Sequence, residues 1–159
     1  MGSMHTEVRI DARRLWGAGV ASALIAALAG AVVFLFATKV FDVTLRVRTG
    51  SSSPYEDLSV VQVMVVAFLV GIVATAVLHL FLRFVPRPTV FFFWLAFLAM
   101  IASLLAPLSL HVTNTAKIWL CVMHVVVGLV IISLLEATAS RVRVEGPTIV
   151  DPMDPTRAL

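Results

Sequence analysis

The stretch LWGAGVASALIAALAGAVVFLFA, residues 15–37, contains no formally charged side chain. An α-helix needs about 20 apolar residues to cross a hydrocarbon core of about 30 Å, and this run is long enough. Three further stretches share the property: Leu58 to Leu82, Val90 to Leu110 and Ile118 to Leu135. Backbone N–H and C=O groups in hydrocarbon must be satisfied within the protein, and helices do this locally. The fold class that follows is all-α: a four-helix transmembrane bundle with antiparallel up-down topology.

Composition agrees. The chain of 159 residues is 60% hydrophobic and 13% charged, against about 25% charged in soluble domains. The membrane domain is read as residues 1–140, with spans at about 15–37, 58–82, 90–110 and 117–136 and an outer loop at 38–57. Residues 141–159, with Pro147, Pro152 and Pro155, are expected to form a disordered tail. The net charge of +3 does not indicate nucleic-acid binding, because the basic residues flank the spans instead of forming a stripe. Cys121, the single cysteine, can form no internal disulfide.

Arg9, Arg13 and Arg14 before an apolar run resemble a signal peptide, but the run exceeds an h-region of about 7–15 residues and ends at Leu35-Phe36-Ala37 without a small-x-small site. It reads as an uncleaved span. Orientation follows from the bias of Lys and Arg. Arg9, Arg13, Arg14, Arg83, Arg87, Arg141, Arg143 and Arg157 fall on one side, and Lys39, Arg46, Arg48 and Lys117 on the other. Both termini are therefore expected in the cytoplasm.

The first helix starts at an Asp11 cap, with Ile10 and Leu15 as a hydrophobic staple and Trp16 at headgroup level. Two rows of small residues run along it: Ala18, Ser22, Ala26, Gly30 and, beside them, Gly19, Ala23, Ala27, Ala31. Such rows let helix backbones approach closely, so this helix is expected at the bundle centre. In the loop, Val43, Leu45 and Val47 alternate with Thr44, Arg46 and Arg48, a period-two pattern of an extended segment. That segment would lie over the outer mouth or pair with another chain. Gly50 to Ser53 is flexible in character, and Ser53-Pro54-Tyr55-Glu56 reads as a capping box that starts the second helix. Pro86-Arg87-Pro88 makes a tight turn, and Phe91 to Trp94 an aromatic belt. Ala96, Ala99, Ser103 and Ala106 share one face of the third helix, with a kink expected at Pro107. Thr113 or Asn114 caps the fourth helix, expected over about Ala116 to Ala139.

His79 and His124 are the ionisable residues within the spans that raise a functional hypothesis. His79 lies four residues before Arg83 and His124 seven after Lys117. At about 1.5 Å per residue this separates them by roughly 14 Å in depth, too far to share one metal ion. His111 and His124 are poorly placed to hold a haem between them. Lys117, Cys121, His124 and Gly128 share a face of the fourth helix, and Gly71, Thr75 and His79 a face of the second. These residues could line a polar cavity or serve as interhelical contacts. Lys117 is expected to snorkel, Glu136 to pair with Arg83 or Arg141 or to face headgroups, and Gln62 to hydrogen-bond at the interface. Phosphate-binding, CxxC, HExxH and GxSxG motifs are absent from the sequence.

The residues Arg9-Ile10-Asp11-Ala12-Arg13-Arg14-Leu15-Trp16, Leu78-His79-Leu80, Pro86-Arg87-Pro88 with Phe92 and Trp94, and Lys117 with Gly128 resemble an uncharacterised actinobacterial family of small four-pass membrane proteins. The resemblance implies four helices in a bacterial plasma membrane and supplies no activity, cofactor or catalytic residue. The sequence thus points to a non-enzymatic accessory or scaffold protein, without metal or cofactor, that contacts lipid and other membrane proteins or itself through helix faces and the outer loop. The alternative is a small-molecule or lipid binding or transporting bundle, with a polar cavity around His79 and His124.

Overall fold

The computed structural model describes residues 12–47, 54 and 56–142. The elements are α1 (Ala12–Leu35), a π-helical turn (Phe36–Val40), β1 (Arg46–Val47), β2 (Glu56–Asp57), α2 (Val60–Phe84), α3 (Pro88–Ser103), α4 (Leu105–Ser109) and α5 (Asn114–Val142). Four helical runs are long and apolar enough to cross a membrane: Ala12–Val40, Val60–Phe84, Pro88–Ser109 and Asn114–Arg141. The protein is an all-α multi-pass bundle. Ile10, Asp11, Gly50 to Ser53, Tyr55 and the chain beyond Val142 lie outside the described residues, and with them the expected staple, cap, flexible loop tip and tail. Arg141, read as the start of that tail, is still helical.

α1 packs against α2 on one side and α5 on the other, while α3 closes the bundle by touching α2 and α5. The small rows explain the closeness of α1. Gly19 faces Thr75, Gly71 faces Ala23, and Gly30 sits between Val63 and Val127. Residue numbers fall along α2 as they rise along α1, so the two helices are antiparallel. Ser22, Ala23, Ala26, Ala27, Gly30 and Ala31 are all buried, and Ala18 is half-buried. One core cluster gathers Leu15, Leu78, Phe92 and Leu135 near the start of α1. A second gathers Phe34, Ala37, Leu45, Val63 and Leu120 at the other end. The remaining faces are apolar and exposed, among them Leu28, Val73, Leu98 and Leu129.

Several local features depart from the sequence reading. The expected capping box at Ser53 does not start α2. Glu56 is instead a strand residue, paired with Val47 while Arg46 pairs with Asp57 in an antiparallel two-stranded ladder. The Leu58 N–H donates to the Leu45 carbonyl at 2.8 Å, which keeps this segment extended. Ser59 caps α2 by accepting from Val61 N–H at 3.2 Å. The extended segment therefore pairs within its own loop, with Leu45 buried and Val43 and Val47 packed beside it. The Arg46 Nε–Asp57 Oδ1 ion pair, 2.9 Å long, stands exposed on its outer side.

α1 runs past its expected end through the π turn, where Phe41 N–H reaches the Phe36 carbonyl. Asp42, at φ 51°, then turns the chain, a left-handed conformation that Asp tolerates better than most residues. The third span breaks at Leu104, three residues before Pro107, because proline cannot donate to the Ser103 carbonyl. Thr113 caps α5 by accepting from Ala116 N–H at 3.3 Å, and α5 extends beyond both ends expected for it.

Candidate functional site

Where α1 pulls α2 and α5 together, α3 is left spaced from them by small side chains. Ala67 and Ala74 of α2 and Ala96 and Ala99 of α3 offer only methyl groups to the space between the helices. The result is a cavity of about 390 Å³, within the range of ligand sites. Val127, Gly128 and Ile131 of α5 form its third wall, and Val47 and Leu58 of the hairpin segment its end. Val66, Val70 and Ala99 are lining residues that are also exposed. The cavity therefore opens sideways, between α2 and α3, onto the apolar surface of the bundle. From Gln62 to Ala74 it follows α2 for about 18 Å at a rise of about 1.5 Å per residue.

The wall is mostly apolar, with three polar side chains: Gln62, Ser103 and His124. The Ser103 hydroxyl donates to the Met100 carbonyl at 2.6 Å. His124 Nδ1 lies 2.8 Å from the Leu120 carbonyl oxygen. A carbonyl can only accept, so Nδ1 carries the proton and, in the neutral ring, Nε2 keeps its lone pair. No Lys, Arg, Asp or Glu lines the cavity.

The candidate residues do not form one site. His124 and Gly128 line the cavity; His79, Thr75, Cys121 and Lys117 do not. A shared cavity around His79 and His124 is thus not what the fold builds. Cys121 and Lys117 border a separate shallow hollow with Leu108 and Ile118. Lys117 Nζ donates there to the Leu108 carbonyl at 3.2 Å, one of the acceptors released where α4 ends. Thr75 is fully buried, donating to the Gly71 carbonyl at 2.8 Å and filling the space that Gly19 leaves. His79 sits near the start of α1, its ring centroid 6.3 Å from that of Trp16. Gly30, which touches Val127, lies fourteen residues further along α1 than Trp16. The His79 level is therefore about 21 Å from that of Val127. Among the described residues no ion pair joins Glu136 to Arg83 or Arg141. Arg83 instead lies over the Phe84 ring, 5.6 Å from its centroid.

The remaining glycines of interest are packing positions. Gly71 lets the Ala23 backbone approach, and a Cβ at Gly128 would meet Met100 Cγ and Sδ at 2.8 Å. Ser103, Ala96 and Ala99 share the face read from the sequence; Ala106 does not reach the cavity. Ala67, Ala74 and Met100 escaped that reading, although Ala67, Gly71 and Ala74 repeat at i, i+4 and i+7 along α2.

His79 Nδ1 is buried without a hydrogen-bond partner. A buried unsatisfied polar group costs about 1–3 kcal/mol. His79→Leu is therefore expected to keep or raise the melting temperature of the detergent-solubilised protein. A clear fall would show that Nδ1 is engaged.

Neither a curated protein nor a solved structure matches this chain. A family model does, over residues 10–141, which takes in all four spans and every residue of the cavity, and the chain accordingly belongs to that family of unknown function, DUF6069.

Proposed function

We propose that this protein is a non-enzymatic membrane component that binds an amphiphile, holding its apolar chain in the cavity between α2, α3 and α5. One observation carries the reading: an apolar-walled cavity with three polar side chains opens sideways onto the bilayer-facing surface. A ligand already dissolved in the membrane enters by that mouth without crossing water. The sequence lacks a recognised catalytic motif, which supports a binding role over an enzymatic one. The bias of Lys and Arg supports a plasma-membrane orientation with both ends in the cytoplasm, in keeping with the bacterial family that the sequence resembles.

The accessory or scaffold reading is the second. It draws on small-residue helix faces, the outer loop and the lack of a recognised catalytic motif; of these, most small residues of α1 are buried and are already engaged within one chain. What favours it is Gly17, exposed on α1 with open space around it.

The test is photo-crosslinking in phosphatidylcholine vesicles with a long-chain alcohol carrying an alkyl diazirine. Label is expected on peptides from α2, α3 and α5 that line the cavity. Ala99→Trp, at the mouth, is expected to reduce it at least tenfold, the equivalent of about 1.4 kcal/mol. Uniform labelling of all lipid-facing surfaces, unchanged by Ala99→Trp and accompanied by crosslinked oligomers, would favour the scaffold.

A further inference from the structure

We infer that the cavity selects an uncharged amphiphile whose polar end is a hydrogen-bond donor, a hydroxyl group. This rests on the binding role proposed above. The polar wall is biased towards acceptors. His124 Nδ1 is committed to the Leu120 carbonyl at 2.8 Å, which leaves Nε2 of the neutral ring as an acceptor. Nε2 has no partner and is not buried, since His79 Nδ1 is the one buried side-chain nitrogen or oxygen without a partner among the described residues. The Ser103 proton is committed to the Met100 carbonyl at 2.6 Å, so towards a ligand this lining residue can act only as an acceptor. Gln62 alone offers both a carbonyl and an amide donor.

Charge decides against the common lipid heads. A carboxylate or phosphate buried in low dielectric needs a cation or several donors. The lining has no Lys or Arg, and Lys117 borders a different hollow. An ammonium head would likewise find no carboxylate. A hydroxyl fits: it donates to Nε2 or Ser103 Oγ and can accept from Gln62. Long-chain alcohols and diacylglycerols share this chemistry.

The experiment uses the full chain in phosphatidylcholine vesicles and three diazirine probes with the same alkyl chain, ending in an alcohol, a methyl ether or a carboxylate. The alcohol is expected to label the lining peptides about tenfold more efficiently than the ether, one hydrogen bond's worth, and the carboxylate no better than the ether. His124→Phe keeps a planar ring without the acceptor and is expected to bring the alcohol-to-ether labelling ratio from about ten to about one. Should that variant misfold, Ser103→Ala is expected to reduce the preference about threefold. Unlabelled diacylglycerol and long-chain alcohol serve as competitors, and whichever displaces the probe names the source. Equal labelling by alcohol and ether, preference for the carboxylate, or displacement by neither competitor would overturn the head-group inference while the binding role stands. Absence of cavity labelling by every probe would remove the binding role itself.

Discussion

Gly71→Val is expected to break the contact between α1 and α2 and to destabilise the protein by at least about 3 kcal/mol, the upper end of the usual cost of overpacking. A Cβ at position 71 would stand 2.7 Å from Ala23 Cβ and 2.8 Å from Ala23 Cα. A flexible side chain could swing aside, but here the obstacle is the backbone of α1, so one whole helix must move. That helix is also held by α5 through Gly30 and Val127, so the shift would propagate across the bundle. Lipid tails are as apolar as the helix faces, and close packing is the main attraction lost. Gly17 provides the control, because a Cβ there meets nothing within 4 Å, and Gly17→Val should stay within about 0.5 kcal/mol of the parent. Thermal unfolding in mild detergent, read by size-exclusion chromatography, compares the two. Equal melting temperatures would contradict the antiparallel seam described for α1 and α2.

Leu28→Lys is expected to cost about 3 kcal/mol of insertion free energy, the translocon-scale penalty for a cation at a helix centre. Leu28 is 57% exposed and lies near the middle of the Ala12–Val40 run. Were this surface in water, exchanging an exposed Leu for Lys would change stability by no more than about 0.5 kcal/mol. Val40→Lys supplies the depth control. Val40 is as exposed as Leu28 but sits at the end of the run, where a lysine reaches the headgroups along its own stem. The penalty should therefore fall steeply from position 28 to position 40. A glycosylation-reporter insertion assay measures both substitutions, and equal values would be incompatible with a spanning α1.

The spans were legible because burial in hydrocarbon acts on composition over some twenty residues at a time, and no tertiary contact is needed to read it. The central place of α1 was legible for a similar reason: two unbroken rows of Gly, Ala and Ser have a direct steric meaning. The start of α2 was not. Ser53-Pro54-Tyr55-Glu56 obeys every local rule for a helix start, yet Glu56 pairs with Val47 and the Leu58 N–H donates to the Leu45 carbonyl, so residues 56–58 belong to the ladder and not to a helix. Ser59 takes over as cap. Tertiary hydrogen bonds outweighed a local signal worth about 1 kcal/mol.

A wide separation of His79 from His124 follows from helix rise alone, and the structure sets His79 beside Trp16 and Val127 beside Gly30, fourteen residues further along α1. The cavity could not be read in the same way. It depends on the register between Ala67 and Ala74 on α2, Ala96 and Ala99 on α3, and the α5 wall. Each set looks like ordinary packing until the other two are in place. The roles of Lys117 and Thr75 were similarly hidden, one bonded to a carbonyl at the end of α4 and the other seated against Gly19.

A bundle that spans the bilayer requires lipid around the exposed apolar faces of these four helices. Spin labels on single cysteines at Leu28, Val73, Leu98 and Leu129, in a Cys121→Ala background reconstituted in vesicles, test it most directly. All four positions are more than half exposed. High collision with dissolved oxygen and low collision with a water-soluble nickel chelate are expected at every one. Strong relaxation by the chelate at these positions would show that water covers them, and a bundle spanning the bilayer could not then be maintained.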